Sequence, residues 1–155
     1  MSYKNAEGYA DPTAGAAVSR AMKEYKEKRK QQWQRENAAR SRMRVYVASP
    51  YAGDTENNIS AAIRYCRFAI EKDCMPVASH LLYPQMLNDN APEERLLGTM
   101  FGLALLKDCR EVWFFGSGMS EGMQREYSEA MRLGKKVRFF TESCEEVEQC
   151  IFPRN

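Results

Sequence analysis

The chain has 155 residues, 44% of them hydrophobic and 28% charged, with a formal net charge of +2, which suits one ordinary domain with a real core plus an appendage. No run approaches the ~20 apolar residues of a membrane span and the polar start lacks a signal-peptide core, so the sequence reads as soluble and cytoplasmic, with no membrane partner. Five cysteines form an odd set with no C-x-x-C pair; they read as reduced, partly buried thiols, and no metal or cofactor is expected.

Charge is uneven along the chain. Residues 1–42 carry ten Lys/Arg against five Asp/Glu, leaving thirteen against sixteen in residues 43–155. The leader 1–12 holds Gly8 and Pro12 and shows no periodicity. Asp11-Pro12 reads as an N-cap followed by proline at the first helical position. From Thr13 to about Arg42 helix formers dominate, and Val18, Met22, Tyr25 and Trp33 make only a thin apolar stripe among lysines and arginines. A basic helix of this kind can touch nucleic acid or an anionic surface. Packing on a neighbouring subunit is the commoner use, so nucleic acid is the weaker reading. Residues 1–42 are therefore expected to be a basic helical extension, and residues 43–155 the domain.

Met43–Ala48 reads as a short strand ended by Ser49-Pro50. Asp54-Thr55 offers an N-cap for a helix with apolar face Ile59, Ile63, Cys66 and Ile70. Met75–Ala78 is a second strand, held by Pro76 to an early or edge position. A loop, Ser79 to Ala91, carries the one histidine, His80, with Tyr83, Pro84, Asp89 and Asn90. Pro92-Glu93-Glu94 opens a helix with acidic residues at its positive end. Its apolar residues run nearly all round to Leu106, which predicts burial on more than one side and a part in a subunit contact.

Glu111–Phe115 is a third strand. It meets Gly116, Ser117 and Gly118, and a helical period begins after Ser120 with Met123, Tyr127, Ala130 and Met131. Gly134 sits as a C′ glycine beside Lys135 and Lys136. Val137–Phe140 is a fourth strand, and Glu142–Ile151 is expected to be a closing helix. Strands alternating with helices imply βαβ units with right-handed crossovers. The expected fold is α/β, a Rossmann-like (flavodoxin-like) three-layer sandwich with a parallel sheet of four to five strands. Ligands of such sheets lie at the carboxyl ends of the strands. Ser120, at a helix start, and Glu126, about two turns in, face that crevice, and Glu126 is the candidate for chemistry.

Val45–Pro50, Gly122-x-x-x-Glu126 and Ala130-x-x-x-Gly134-Lys135 together resemble the nucleoside 2-deoxyribosyltransferase superfamily, which includes the deoxynucleoside 5′-monophosphate N-glycosidases. The resemblance covers about residues 43–141. The runs Ala48–Tyr51, His80–Gln85, Pro92–Arg95 and Glu111–Gly116 look closest to small, largely phage and prophage proteins known only as a domain of unknown function. The resemblance implies cleavage or transfer at the N-glycosidic bond of a nucleoside, nucleotide or NAD-like substrate in a bacterial or phage-infected cell, with Glu126 attacking C1′ and Tyr46 orienting it. It also implies a phosphate or substrate site that includes Ser49, Pro50, Tyr51, Gly53, His80, Asp89, Gly116, Ser117, Ser120, Gly122 and Met123. A hydroxyl and free N–H groups at a helix start between glycines form an anion site without lysine. A homo-oligomer, a dimer or a multiple of one, is implied as well.

In one respect the chain departs from that pattern. The superfamily's aspartate, which helps protonate the leaving base, falls at Gly102. General-acid help is worth ~10²–10⁴ in rate, so Asp89, Glu93, Glu94 or His80 has to substitute, or the leaving group has to be cationic already, as nicotinamide is in NAD. A non-catalytic nucleotide-binding protein, for example one that sequesters a nucleotide signal, is the alternative. The plainer readings are a solvated Glu126 paired one turn away, a hydrogen-bonded loop His80 and a core Tyr46.

Overall fold

The computed structural model describes residues 4, 6–9 and 12–148. It divides into two units, Met1–Ser41 and Arg42–Asn155. The first holds α1, Pro12–Arg40, with no buried residue along its length; the expected cap Asp11 lies outside the described residues. Short i,i+4 contacts such as Gln32 with Glu36 run along α1. They support a helix only weakly compared with packing.

The second unit runs β1 (Met43–Ala48), α2 (Thr55–Glu71), β2 (Cys74–Val77), α3 (Pro92–Lys107), β3 (Glu111–Phe115), α4 (Glu121–Arg132), β4 (Lys136–Phe140) and β5 (Glu146–Val147). Two 3₁₀ turns, Ser79–Leu81 and Tyr83–Gln85, break the loop before α3. The strand order is β2-β1-β3-β4-β5. The first four strands are parallel and β5 is antiparallel to β4. This is an α/β fold with a mostly parallel five-stranded sheet, Rossmann-like, in the order 2-1-3-4-5 whose topological switch lies between β1 and β3. Pro76 is on the edge strand, the part of a sheet that tolerates a residue without an N–H.

Period-two alternation decides the layers. Val45, Val47, Trp113 and Phe115 point to one face, where Tyr65 and Ala69 of α2 meet them. Tyr46, Ala48, Val112 and Phe114 point to the other, with Leu106 of α3 and Met123 and Ala130 of α4. Tyr65 stacks on Phe115 with ring centroids 4.5 Å apart, and Phe115 on Phe140 at 4.8 Å; pairs like these add ~0.5–1.5 kcal/mol each beyond their buried area. At the amino end of β3 the buried Glu111 accepts from Trp113 Nε1 at 2.8 Å and pairs with Lys136 at 3.2 Å. That ionic cluster belongs to the scaffold, at the end of the sheet away from the crevice.

Two expectations need correction, those for α2 and for the closing helix, and the single chain leaves the apolar face of α3 uncovered. The buried line of α2 is Ala62, Tyr65 and Ala69, while Ile63 and Ile70 are exposed. The real face is the expected one turned by one residue, about 100°, because two alanines let the helix approach the sheet closely enough for Tyr65 to stack. The apolar α3 buries only Gly102 and Leu106 in this chain, and Leu96, Leu97, Met100 and Phe101 stay exposed. The expected closing helix does not form over residues 142–148. Cys144 takes φ 63°, and Glu146–Val147 pairs with β4, its Glu146 accepting from Arg138 Nε at 2.8 Å and Nη2 at 2.7 Å; residues 149–151 lie outside the described part.

Candidate active site

The site is assembled where β1 and β3 end. After β3 the chain turns at Gly116, whose φ of 126° is open to glycine but strained for other residues. α4 then starts at Ser120, whose Oγ caps it by accepting from the Met123 N–H at 3.3 Å. Met123 is fully buried against the sheet, and Tyr127 packs edge-on to Phe114 at 5.9 Å. With these two fixing the helix's inner face, Glu126 between them is turned toward β1. There the wholly buried Tyr46 donates its phenolic proton to Glu126 Oε1 at 2.6 Å.

The loop after β2 contributes a second pair of side chains. Ser79 Oγ lies 2.6 Å from Tyr46 Oη, and His80 Nε2 lies 3.0 Å from Ser49 Oγ at the end of β1. α3 closes this wall with Gly102. A Cβ there would stand 2.9 Å from Ser79 Oγ and 3.2 Å from Tyr46 Oη, so an aspartate at this position does not fit without moving the serine.

These groups open on a pocket of 360 Å³ at the carboxyl ends of the strands, the size of a small-molecule site. Glu126 is half-buried, its exposed part facing this pocket. Burial pushes its carboxyl up to about 7, against a smaller downward pull from the Tyr46 hydrogen bond. Near neutrality both its acid and its carboxylate forms are therefore populated. Burial, and then the charge of Glu126, holds the Tyr46 phenol well above its ordinary value, so it acts as a donor and not as a base. Burial also lowers His80 to about 4, which keeps the imidazole neutral at pH 7 and removes it as a cationic acid. Asp89, Glu94 and Glu121 line the same pocket, and Arg95 is the cation among its lining residues.

Of the residues singled out in the sequence, Ser49, Tyr51, His80, Asp89, Ser120, Gly122, Met123 and Glu126 come together on this pocket. Tyr46 stands behind Glu126. Pro50 and Gly116 line a different cleft, of 310 Å³, beside α2 with Arg64 and Tyr65. Gly53 and the exposed Ser117 line neither. Sequence reasoning missed Ser79, Tyr83, Arg95 and Thr99 as lining residues. Ser79 and Tyr83 had a signal in their place beside His80, and Arg95 in the run Pro92–Arg95; Thr99 had none.

Burial raises the thiols of Cys66 and Cys109 to about 11, which makes them poor nucleophiles. Among the described residues no group of three or more His, Cys, Asp or Glu side chains is placed to hold a metal ion, and no helix is long and apolar enough to cross a membrane.

A family model described as a domain of unknown function (DUF7768) matches residues 43–140. No curated protein matches the chain. Among solved structures, the 2-deoxyribosyltransferase of the psychrotolerant bacterium Bacillus psychrosaccharolyticus is similar to it, with a TM-score of 0.51 and 19% identity over 70% of this chain and 79% of the other. That likeness is one of fold.

Proposed function

The chain belongs to the DUF7768 domain family, and from the pocket its domain carries we propose that it cleaves or transfers at the N-glycosidic bond of a nucleoside, nucleotide or NAD-like molecule. The observation that carries this reading is the 2.6 Å bond from Tyr46 to the pocket carboxyl of Glu126. A carboxylate in a pocket, oriented by a hydroxyl and available in its ionised form near neutral pH, is suited to attack an electrophilic carbon. Glu126 forms a bond to C1′ as the C1′–N bond breaks, and the electron pair leaves with the base. Water or a second base then attacks C1′ and frees the carboxylate.

Ser120 and the first free N–H groups of α4 receive the sugar's 5′ end, and favour an anionic phosphate there. Tyr51, Ser49 and His80 border the base side. With no side chain at residue 102, a neutral base must take its proton from Asp89 or Glu94, which line the pocket. A cationic leaving group such as nicotinamide needs none. The solved neighbour is named a 2-deoxyribosyltransferase, a reaction of the same class.

The test is to incubate the protein with deoxynucleosides, their 5′-monophosphates and NAD and to measure free base by chromatography. Glu126→Gln, close to isosteric, is expected to retain binding and lose release by ~10³-fold or more, on the scale of an excised nucleophile. Unchanged turnover in that variant would remove Glu126 from the mechanism. Tight nucleotide binding with no release from any substrate would leave a binding protein.

A further inference from the structure

Tyr46 has one phenolic proton, and it is committed to Glu126 Oε1. The second short contact of the same oxygen, 2.6 Å to Ser79 Oγ, therefore has the serine as donor. Ser79 is 8% exposed, so little water competes for its hydroxyl. A directed run follows, in which Ser79 donates to Tyr46 and Tyr46 donates to Glu126. The three residues are far apart in the chain, and the run exists only because the turn after β2, strand β1 and helix α4 converge.

Gly102 supplies a second, independent observation. It sits in the interior of α3, where glycine costs ~1 kcal/mol relative to alanine. Its φ does not lie in the left-handed range, so backbone conformation gives no reason for glycine. Space does, since a Cβ would meet Ser79 Oγ at 2.9 Å, Ser79 Cβ at 3.2 Å and Tyr46 Oη at 3.2 Å. The helix gives up a side chain at the one point where the hydroxyl pair needs the room.

We propose that Ser79 is a positioning residue: by donating to Tyr46 Oη it turns the single phenolic proton onto Glu126 and holds the carboxylate in one orientation toward the pocket, with Gly102 as the recess that admits it. The functional meaning rests on the reading of Glu126 as nucleophile, whereas the hydrogen-bond run does not. A donor bonded in turn by another donor is polarised and bonds an anion more strongly, by about 10–30%. Removing Ser79 thus weakens support for the ionised carboxylate and raises its titration midpoint. Asp89, Glu94, Arg95 and Glu121 share the pocket, as does the neutral His80. They are unchanged in every variant below and so cancel in the comparison.

The experiment titrates Glu126 in the full chain by carboxyl ¹³C NMR, with Glu126→Gln identifying its signal. The expected order of midpoints is wild type, then Ser79→Ala higher by about half a unit, then Tyr46→Phe higher again. Ser79→Thr keeps the hydroxyl and restores the wild-type value. Gly102→Ala pushes the hydroxyl aside and behaves like Ser79→Ala. The double variant Ser79→Ala/Gly102→Ala goes no further than the larger single change, because the two act on one contact. With a cleaved substrate, Ser79→Ala lowers kcat several-fold at pH 6 with KM unchanged, and the loss shrinks at pH 9. A midpoint unmoved in Ser79→Ala, while Tyr46→Phe moves it, overturns the proposal. If the midpoints follow the expected order but no form cleaves any glycoside, the positioning role stands and the glycosidic reading falls.

Discussion

Glu126 binds its proton more tightly in the folded chain, at about 7, than at its ordinary 4.5, and two measurable effects follow. Attack needs the carboxylate, so kcat/KM is expected to rise with pH through about 7 and to level above it. Stability moves the other way. The contribution of a group whose folded value is raised is complete below about 4.5 and is lost as pH climbs through about 7. Glu126→Gln removes that dependence. Relative to wild type, the variant should gain about 2–3 kcal/mol between pH 5 and pH 8, readable from urea unfolding at the two pH values. An equal offset at both would mean that the carboxyl is not held near neutrality.

α4 is where local chemistry and site geometry share an atom. Ser120 Oγ caps the helix at Met123 and also lines the pocket. Ser120→Ala should therefore cost about 1 kcal/mol of stability, the usual loss of a serine cap, and the melt measures that. If the helix start receives a phosphate, the same variant weakens binding of a 5′-monophosphate more than that of the matching nucleoside. Equal weakening of both, or of neither, would assign Ser120 to the cap alone. Calorimetric titration with the two ligands separates the cases. α2 teaches a related point about elements. Its 4-3-4 spacing was visible in two adjacent lines, and the isoleucines made the wrong one look heavier. The packed line won because alanine permits close approach to a sheet and the aromatic Tyr65 has Phe115 to stack on.

At the scale of the molecule, α3 presents Leu96, Leu97, Met100 and Phe101 to solvent, more apolar surface than scattered exposure explains. Burial is worth ~25 cal/mol per Å², so association through this helix, most simply as a two-fold dimer, is the expected outcome. Light scattering at micromolar concentration is the check, and Leu96→Lys with Met100→Lys should shift the mass toward the monomer. A monomeric wild type, or a mass unmoved by the lysines, would leave α3 without that role. Deleting residues 1–40 tests the basic helix separately. No change in mass or stability would turn attention to an anionic partner for it.

By itself the sequence determined the strands β1 and β3 to their last residue, the capped starts of α2 and α4, the proline start of α3 and the α/β class, and it held β2 to an early or edge position. Each of these is written in a few neighbouring residues: aromatic and β-branched runs, Asp54 and Ser120 as caps, Pro92 at a first turn, Gly134 past a last one. It also pointed to Glu126 and Tyr46, through a resemblance carried by short motifs. What only the tertiary structure decided lies between residues distant in the chain. Tyr46 and Glu126 are 80 positions apart and Tyr46 and Ser79 are 33 apart; no local period encodes the hydroxyl run that joins them. Nor could the sequence reveal that a side chain at Gly102 would collide with Ser79, or that β5 pairs back on β4 where a helix was expected. Those outcomes depend on which surfaces meet once the sheet has formed, and a linear pattern specifies what each surface is made of without specifying its partner.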